Sequence, residues 1–153
     1  MGSEHYSEFS PCLTDAEDRA RLAALPVSHF EPLFALLPRL DRVKSEREED
    51  EDGKDGSYTW VFVPSKACPV ALDFTTLCYQ LHLVLRWGNW PAFMQAHPFW
   101  DRPAMIDQFD RYQCCMAITT IIRGDRFGDG TTEGYCRGGT VARIIRRLQG
   151  GAV

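Results

Sequence analysis

The sequence has no CxxC pair, no apolar run near the length of a membrane span, no excess of positive charge and only four histidines. Each absence excludes a class of protein. Without a closely spaced cysteine pair, the six thiols Cys12, Cys68, Cys78, Cys114, Cys115 and Cys136 do not read as a zinc ribbon. Cys114 and Cys115 are adjacent on a helical stretch, so buried free thiols are expected; the alternative is a site assembled by the fold, with His82 or His97 joining one or two thiols. The most apolar region, Val70 to Leu85, is broken by Asp73, Gln80 and His82, so it falls short of the ~20 apolar residues that cross a bilayer. Met1-Gly2-Ser3-Glu4-His5 is polar and lacks the charged and apolar regions of a secretory signal, which leads to the expectation of a cytoplasmic protein with no membrane contact. A net charge of −4 supplies no global field toward nucleic acid, so any such contact needs a local basic patch.

Catalytic signatures are missing as well. There is no GxSxG, no HExxH, no kinase set, no GxGxxG after a strand and no GxxxxGK[ST]. His5, His29, His82 and His97 lie far apart, and only His82 and His97 fall in surroundings that could tune a general base. The expectation is therefore a non-catalytic protein without cofactor or metal.

What is present points to a globular chain. At 153 residues, 44% hydrophobic and 25% charged, the sequence reads as a single domain over 1–153, with 1–13 a flexible N-terminus. Thr14-Asp15-Ala16-Glu17 has capping-box spacing and opens a short helix to about Leu25. Ser28 to Glu31 repeats that spacing, and Phe30, Leu33, Phe34 and Leu37 form the apolar stripe of a second helix ending near Pro38. Residues 44–56, KSEREEDEDGKDG, hold seven carboxylates and no large apolar side chain, the pattern of an acidic flexible loop. Tyr58 to Val63 alternates as a strand does, with Lys66 to Ala71 its nearest hairpin partner. Leu72, Leu77, Leu81, Val84 and Leu85 mark a long buried helix from about Val70 to Arg86. Phe109, Tyr112, Met116, Ile118, Thr119 and Ile122 trace another helix to about Arg123, and Val141, Ile144, Ile145 and Leu148 a last one over 140–149. The fold class expected is mainly α (α+β), about five helices with one small β-strand or hairpin near 58–70.

Two stretches carry candidate binding residues. Trp87, Trp90, Phe93, Phe99 and Trp100, with His97, place five aromatics and a histidine within fourteen positions, enough to plug a helical core or to meet a partner. The chain from Arg123 onward carries +3 while the part before it carries −7. On that basic end, Arg143, Arg146 and Arg147 flank the last helix. They join Trp87, Trp90, Phe99 and Trp100 as expected partner-binding residues. The glycine-rich turn from Arg123 to Gly130 offers the alternative, an anion, nucleotide or nucleic-acid site built on Arg123, Arg126 and Arg137. The competing structural reading pairs Arg123 and Arg126 with Asp125, Asp129 or the acidic first half.

From about Phe30 onward the order of features resembles a family of small bacterial and phage proteins known only as a domain of unknown function. The most specific part is Arg123-Gly124-Asp125-Arg126-Phe127, then Gly139 before Val141-Ala142-Arg143-Ile144-Ile145-Arg146-Arg147-Leu148, with Trp87 and Trp90 matching a tryptophan pair after a long apolar helix. The chain departs from that pattern in extra glycines at Gly128, Gly134 and Gly138. The resemblance implies a small, mainly helical cytoplasmic domain, often encoded near mobile elements, and no activity. The expected function is a small interaction protein, a modulator or inhibitor of a host complex, binding a protein partner of unidentified kind, with a homodimer as a further possibility.

Overall fold

The structure, a computed structural model, describes residues 11–52, 68–86, 90–125 and 130–150. These residues form eight α-helices and two short 3-10 turns, with no strand among the described residues. In chain order they are α1 (Pro11–Ala23), a 3-10 turn (Val27–Phe30), α2 (Glu31–Phe34), α3 (Leu37–Asp52), α4 (Pro69–Gln80) and α5 (Trp90–Ala96). A second 3-10 turn (Pro103–Gln108), α6 (Arg111–Gly124), α7 (Thr131–Arg137) and α8 (Thr140–Gln149) complete the order. None of the described helices is long and apolar enough to cross a membrane.

The two helices with the clearest periodicity form where their spacing places them, and the rest of the chain packs on them. α6 buries Tyr112, Cys114, Cys115, Ala117, Ile118, Ile121 and Ile122 and lies against α1, α5, α7 and α8. Its start is fixed by a capping box: the Asp110 carboxylate accepts the Gln113 amide at 2.8 Å, and the Gln113 side chain accepts the Asp110 amide at 3.0 Å. α8 turns Val141, Ile144, Ile145 and Leu148 into the core and rests on α3, α6, α7 and the second 3-10 turn. Phe30, Phe74, Phe99 and Ile118 are fully buried, each worth roughly 1.5–3 kcal/mol of transfer free energy.

Arg111, only 5% exposed, ties α1 to α6. Its Nη1 donates to the Leu22 carbonyl at 2.8 Å and the Leu25 carbonyl at 2.6 Å, and its guanidinium lies 5.1 Å from the Phe30 ring centre. A cation at the carbonyl end of α1 meets acceptors that the helix cannot satisfy itself. Charged hydrogen bonds of this kind contribute about 1.5–3 kcal/mol each, which offsets the desolvation of the guanidinium.

Several expectations are corrected. Eight α-helices replace about five, because short apolar stretches that read as one helix or as a loop are separate elements. Residues 58–63 of the expected strand lie outside the described residues, but its hairpin partner fails: Pro69–Ala71 is the first turn of α4, with Pro69 suited to a helix start by its fixed φ. The expected α+β class gives way to an all-helical fold among the described residues. Of the acidic run, 44–52 continues α3 as helix, and 53–56 lie outside the described residues. The second helix does not end at Pro38; Pro38 is the second residue of α3, where a missing amide costs nothing.

The helix expected over 70–86 stops at Gln80. Leu83 donates its amide to the Cys78 carbonyl at 2.9 Å and His82 to the Tyr79 carbonyl at 3.1 Å, with His82 left-handed at φ 59°. This is a Schellman stop, with the buried Leu83 as its apolar anchor. The irregular segment that follows is held by side chains: His29 Nε2 donates to the Leu81 carbonyl at 2.9 Å, the Leu85 amide donates to Thr119 Oγ1 at 2.9 Å, and Arg123 donates to the Leu85 carbonyl at 2.7 Å.

Candidate functional site

The aromatic segment is sorted by the fold into a buried part and an exposed one. α5 presents Phe93 to the core, where its ring lies 4.8 Å from that of His97 and 6.0 Å from that of Phe109. His97 meets Phe109 edge-on at 5.7 Å, and Phe99 lies 5.9 Å from the Tyr135 ring on α7. Phe99 is fully buried and belongs to the core. Trp90 is half-buried against the core, and Trp87 lies outside the described residues. Trp100, directly after the buried Phe99, stands 54% exposed. Val27, Leu72 and Tyr79 are the other large apolar side chains left exposed among the described residues.

The arginines of α8 recur at three- and four-residue spacing, which puts them on the side opposite its buried stripe. There they meet groups from two other elements. Arg143 forms a two-pronged bond to Asp107 of the second 3-10 turn, at 3.0 and 2.7 Å. Arg146 reaches Asp41 of α3 at 2.6 Å, and Arg147 Nε donates to the Phe109 carbonyl at 2.7 Å. The hydrogen bond from Arg143 holds the Asp107 carboxyl below its ordinary value. Between these pairs lies a groove of about 630 Å³, whose charged lining is Asp41, Lys44, Asp107, Arg143, Arg146 and Arg147. Gly139, at φ 89°, precedes α8; a Cβ there would sit 2.8 Å from Lys44 Cε, so glycine allows both the turn and the passage of the lysine stem.

The three arginines of the alternative anion site are placed differently. Arg123 binds the Leu85 carbonyl and, among the described residues, no aspartate. Asp125, one of its expected partners, caps α7 instead, accepting the Thr132 amide at 3.1 Å and the Thr132 hydroxyl at 2.6 Å. Arg137 donates through Nε to Glu133, one turn earlier and buried, at 3.0 Å. Arg126 lies outside the described residues. Sequence reading missed Asp41 and Asp107 because their arginine partners are distant along the chain, 105 positions for Asp41 and 36 for Asp107, and missed Lys44 because the Gly139 it lies against is equally remote in sequence. The three-four spacing of Arg143, Arg146 and Arg147 was the available signal for the groove.

Cys68, Cys78, Cys114, Cys115 and Cys136 are buried and form no disulfide. Burial raises the thiols of Cys78, Cys114 and Cys136, and pushes Cys115 up to about 12. Such groups stay protonated at neutral pH and are poor nucleophiles. His82 is exposed at the α4 stop and His97 sits among rings; among the described residues no three His, Cys, Asp or Glu side chains gather as a metal site would require.

With this geometry in place, the comparison with known families is decisive: residues 25–151 match a family described as a family of unknown function, DUF6508. The chain belongs to that family. The DUF6508 match takes in α2 through α8, hence Trp100, Arg111 and every charged residue of the groove, and leaves out α1. It agrees with the resemblance to an uncharacterised family read from the tail. No curated protein and no solved structure matches the chain.

Proposed function

We propose that this DUF6508 protein is a small non-catalytic interaction protein of the cytoplasm, a modulator or inhibitor of a larger host complex, with Trp100 as its anchor on a protein partner. The observation that carries this reading is the 54% exposure of Trp100 beside the wholly buried Phe99. Burying an indole that already stands out of the fold gains apolar contact area at little cost in side-chain freedom, which is why tryptophan is enriched among interface hot spots. Arg143 and Arg146, half-exposed in their pairs, contribute the polar rim of the same reading. Origin in a mobile element belongs to this proposal and rests on the family resemblance.

The test is affinity capture from a host lysate by the whole protein and by Trp100→Ala, with thermal midpoints measured for both. The expected outcome is a stoichiometric protein partner whose affinity falls about tenfold or more in Trp100→Ala while the midpoint stays unchanged. Capture indifferent to Trp100→Ala, or a midpoint that falls together with capture, makes Trp100 a structural residue and removes the reading.

A further inference from the structure

We propose that the face of α6 beneath α1 is a docking site for the C-terminal end of a partner protein's helix bearing Arg-x-x-Leu, and that α1 fills this site in cis as an autoinhibitory strap. The site does not depend on the reading given to Trp100. The groups on α6 that receive α1 fall within residues 25–151, the part of the chain that matches the family, whereas α1 itself falls outside that match.

The contacts with the C-terminal end of α1 define what the site reads. Arg111, 5% exposed on α6, donates through Nη1 to the carbonyls of Leu22 at 2.8 Å and Ala23 at 3.4 Å. The last carbonyls of a helix lack donors within it, and a cation there also meets the negative end of the helix dipole. These are main-chain contacts, so the guanidinium recognises a helix end whatever its sequence. Side chains supply the rest. Leu22 is fully buried in the core, and Arg19, one turn earlier on the same side, lies 4.4 Å from the Tyr112 ring centre and donates to Asp110 at 2.8 Å. Arg-x-x-Leu closing a helix is therefore the chemistry selected. The receptor is also held from inside the matched region, since Arg111 donates to the Leu25 carbonyl at 2.6 Å and rests 5.1 Å from the Phe30 ring centre. Both contacts persist when α1 lifts.

Only Ala24, Leu25 and Pro26 separate α1 from the first 3-10 turn. So short a tether keeps α1 at a high effective concentration, and a partner helix gains the site only when α1 opens locally. The arrangement also supplies a reporter. The Cys115 thiol is raised chiefly by burial, and it feels the charges of Arg21 and Asp18 on α1. Burial raises Cys136 as well, but the groups acting on that thiol, Cys68, Glu133, Arg137 and Asp125, lie off α1.

The experiment uses a fluorescently labelled, amidated peptide of residues 13–24, titrated by anisotropy into the whole protein, into Leu22→Ala and into Arg19→Ala. Saturable one-to-one binding is expected, about tenfold or more tighter to Leu22→Ala than to the natural chain, because the variant's own α1 releases the site. A peptide carrying Leu22→Ala does not bind. Arg19→Ala, at a half-exposed side chain, gives a gain of about twofold and keeps the test in force should Leu22→Ala not fold. Under native conditions a thiol reagent followed by peptide mapping modifies Cys115 before Cys136. The proposal is overturned by absence of saturable binding, by equal affinity for the natural chain and both variants, or by modification of Cys115 and Cys136 together at the rate of global unfolding. A dimer of the natural chain that the peptide dissociates overturns it in favour of exchange of α1 between two copies.

Discussion

At His82 the backbone takes φ 59°, the only left-handed conformation of a non-glycine among the described residues. A Cβ in that region crowds the neighbouring carbonyl, at a cost of roughly 1 kcal/mol, yet the side chain itself is exposed. His82→Gly is therefore expected to raise the unfolding free energy by about 0.5–1 kcal/mol, seen as a higher urea midpoint with an unchanged slope. A lower midpoint would show that the imidazole holds a contact that outweighs the strain. Arg111 behaves in the opposite sense: its cost is desolvation, and it is offset by the carbonyls of Leu22 and Leu25. These residues explain two things periodicity cannot express, why α4 stops where it does and why α1 ends against α6.

Among the elements, α6 is the one on which α1, α5, α7 and α8 all converge, so what fixes its first turn fixes much of the core. Asp110 does this twice, through the capping box and through an exposed pair with Arg19 at 2.8 Å. Asp110→Ala is expected to lower stability by about 1 kcal/mol, while Asp110→Asn, which keeps a capping oxygen and loses only the charge, costs a few tenths at most. Equal losses in the two variants, measured by urea denaturation, would assign the effect to the ion pair and not to the cap. α8 divides its labour by face: an apolar stripe toward α6 and α7, and a cationic one toward α3 and the second 3-10 turn.

For the whole molecule, the buried thiols set a limit on the alkaline side. Their folded values lie above the ordinary 9.0, to about 12 for Cys115, because burial penalises the thiolate. The unfolded chain ionises first as pH rises, so the stabilisation is complete below about 9 and is lost as pH climbs from there toward the folded values. Unfolding free energy measured between pH 7 and 11 is expected to fall above about 9, and less steeply in Cys115→Ala than in the natural chain. A Cys115→Ala profile parallel to the natural one would show that the Cys115 thiol is not shielded. The acid side has a smaller counterpart. Asp107 is held low by Arg143, so its contribution is present above the ordinary carboxylate range and fades as pH falls through its depressed value.

The sequence by itself determined α6 and α8, because three-four apolar spacing with a cap or glycine at the boundary is local information. It also pointed to buried thiols, to the family, and to an aromatic segment with an arginine-rich helix as the places to look. Only the tertiary structure decided which aromatic stands out, since Phe99 and Trp100 are neighbours in the chain and opposite in burial. It decided equally that Arg146 meets Asp41 and that Arg123 holds an irregular segment at Leu85. The physical reason is range. Helix-forming tendency is written within a turn or two of each residue, whereas side-chain pairing and burial depend on residues that lie far apart in the sequence and meet only once the helices have packed.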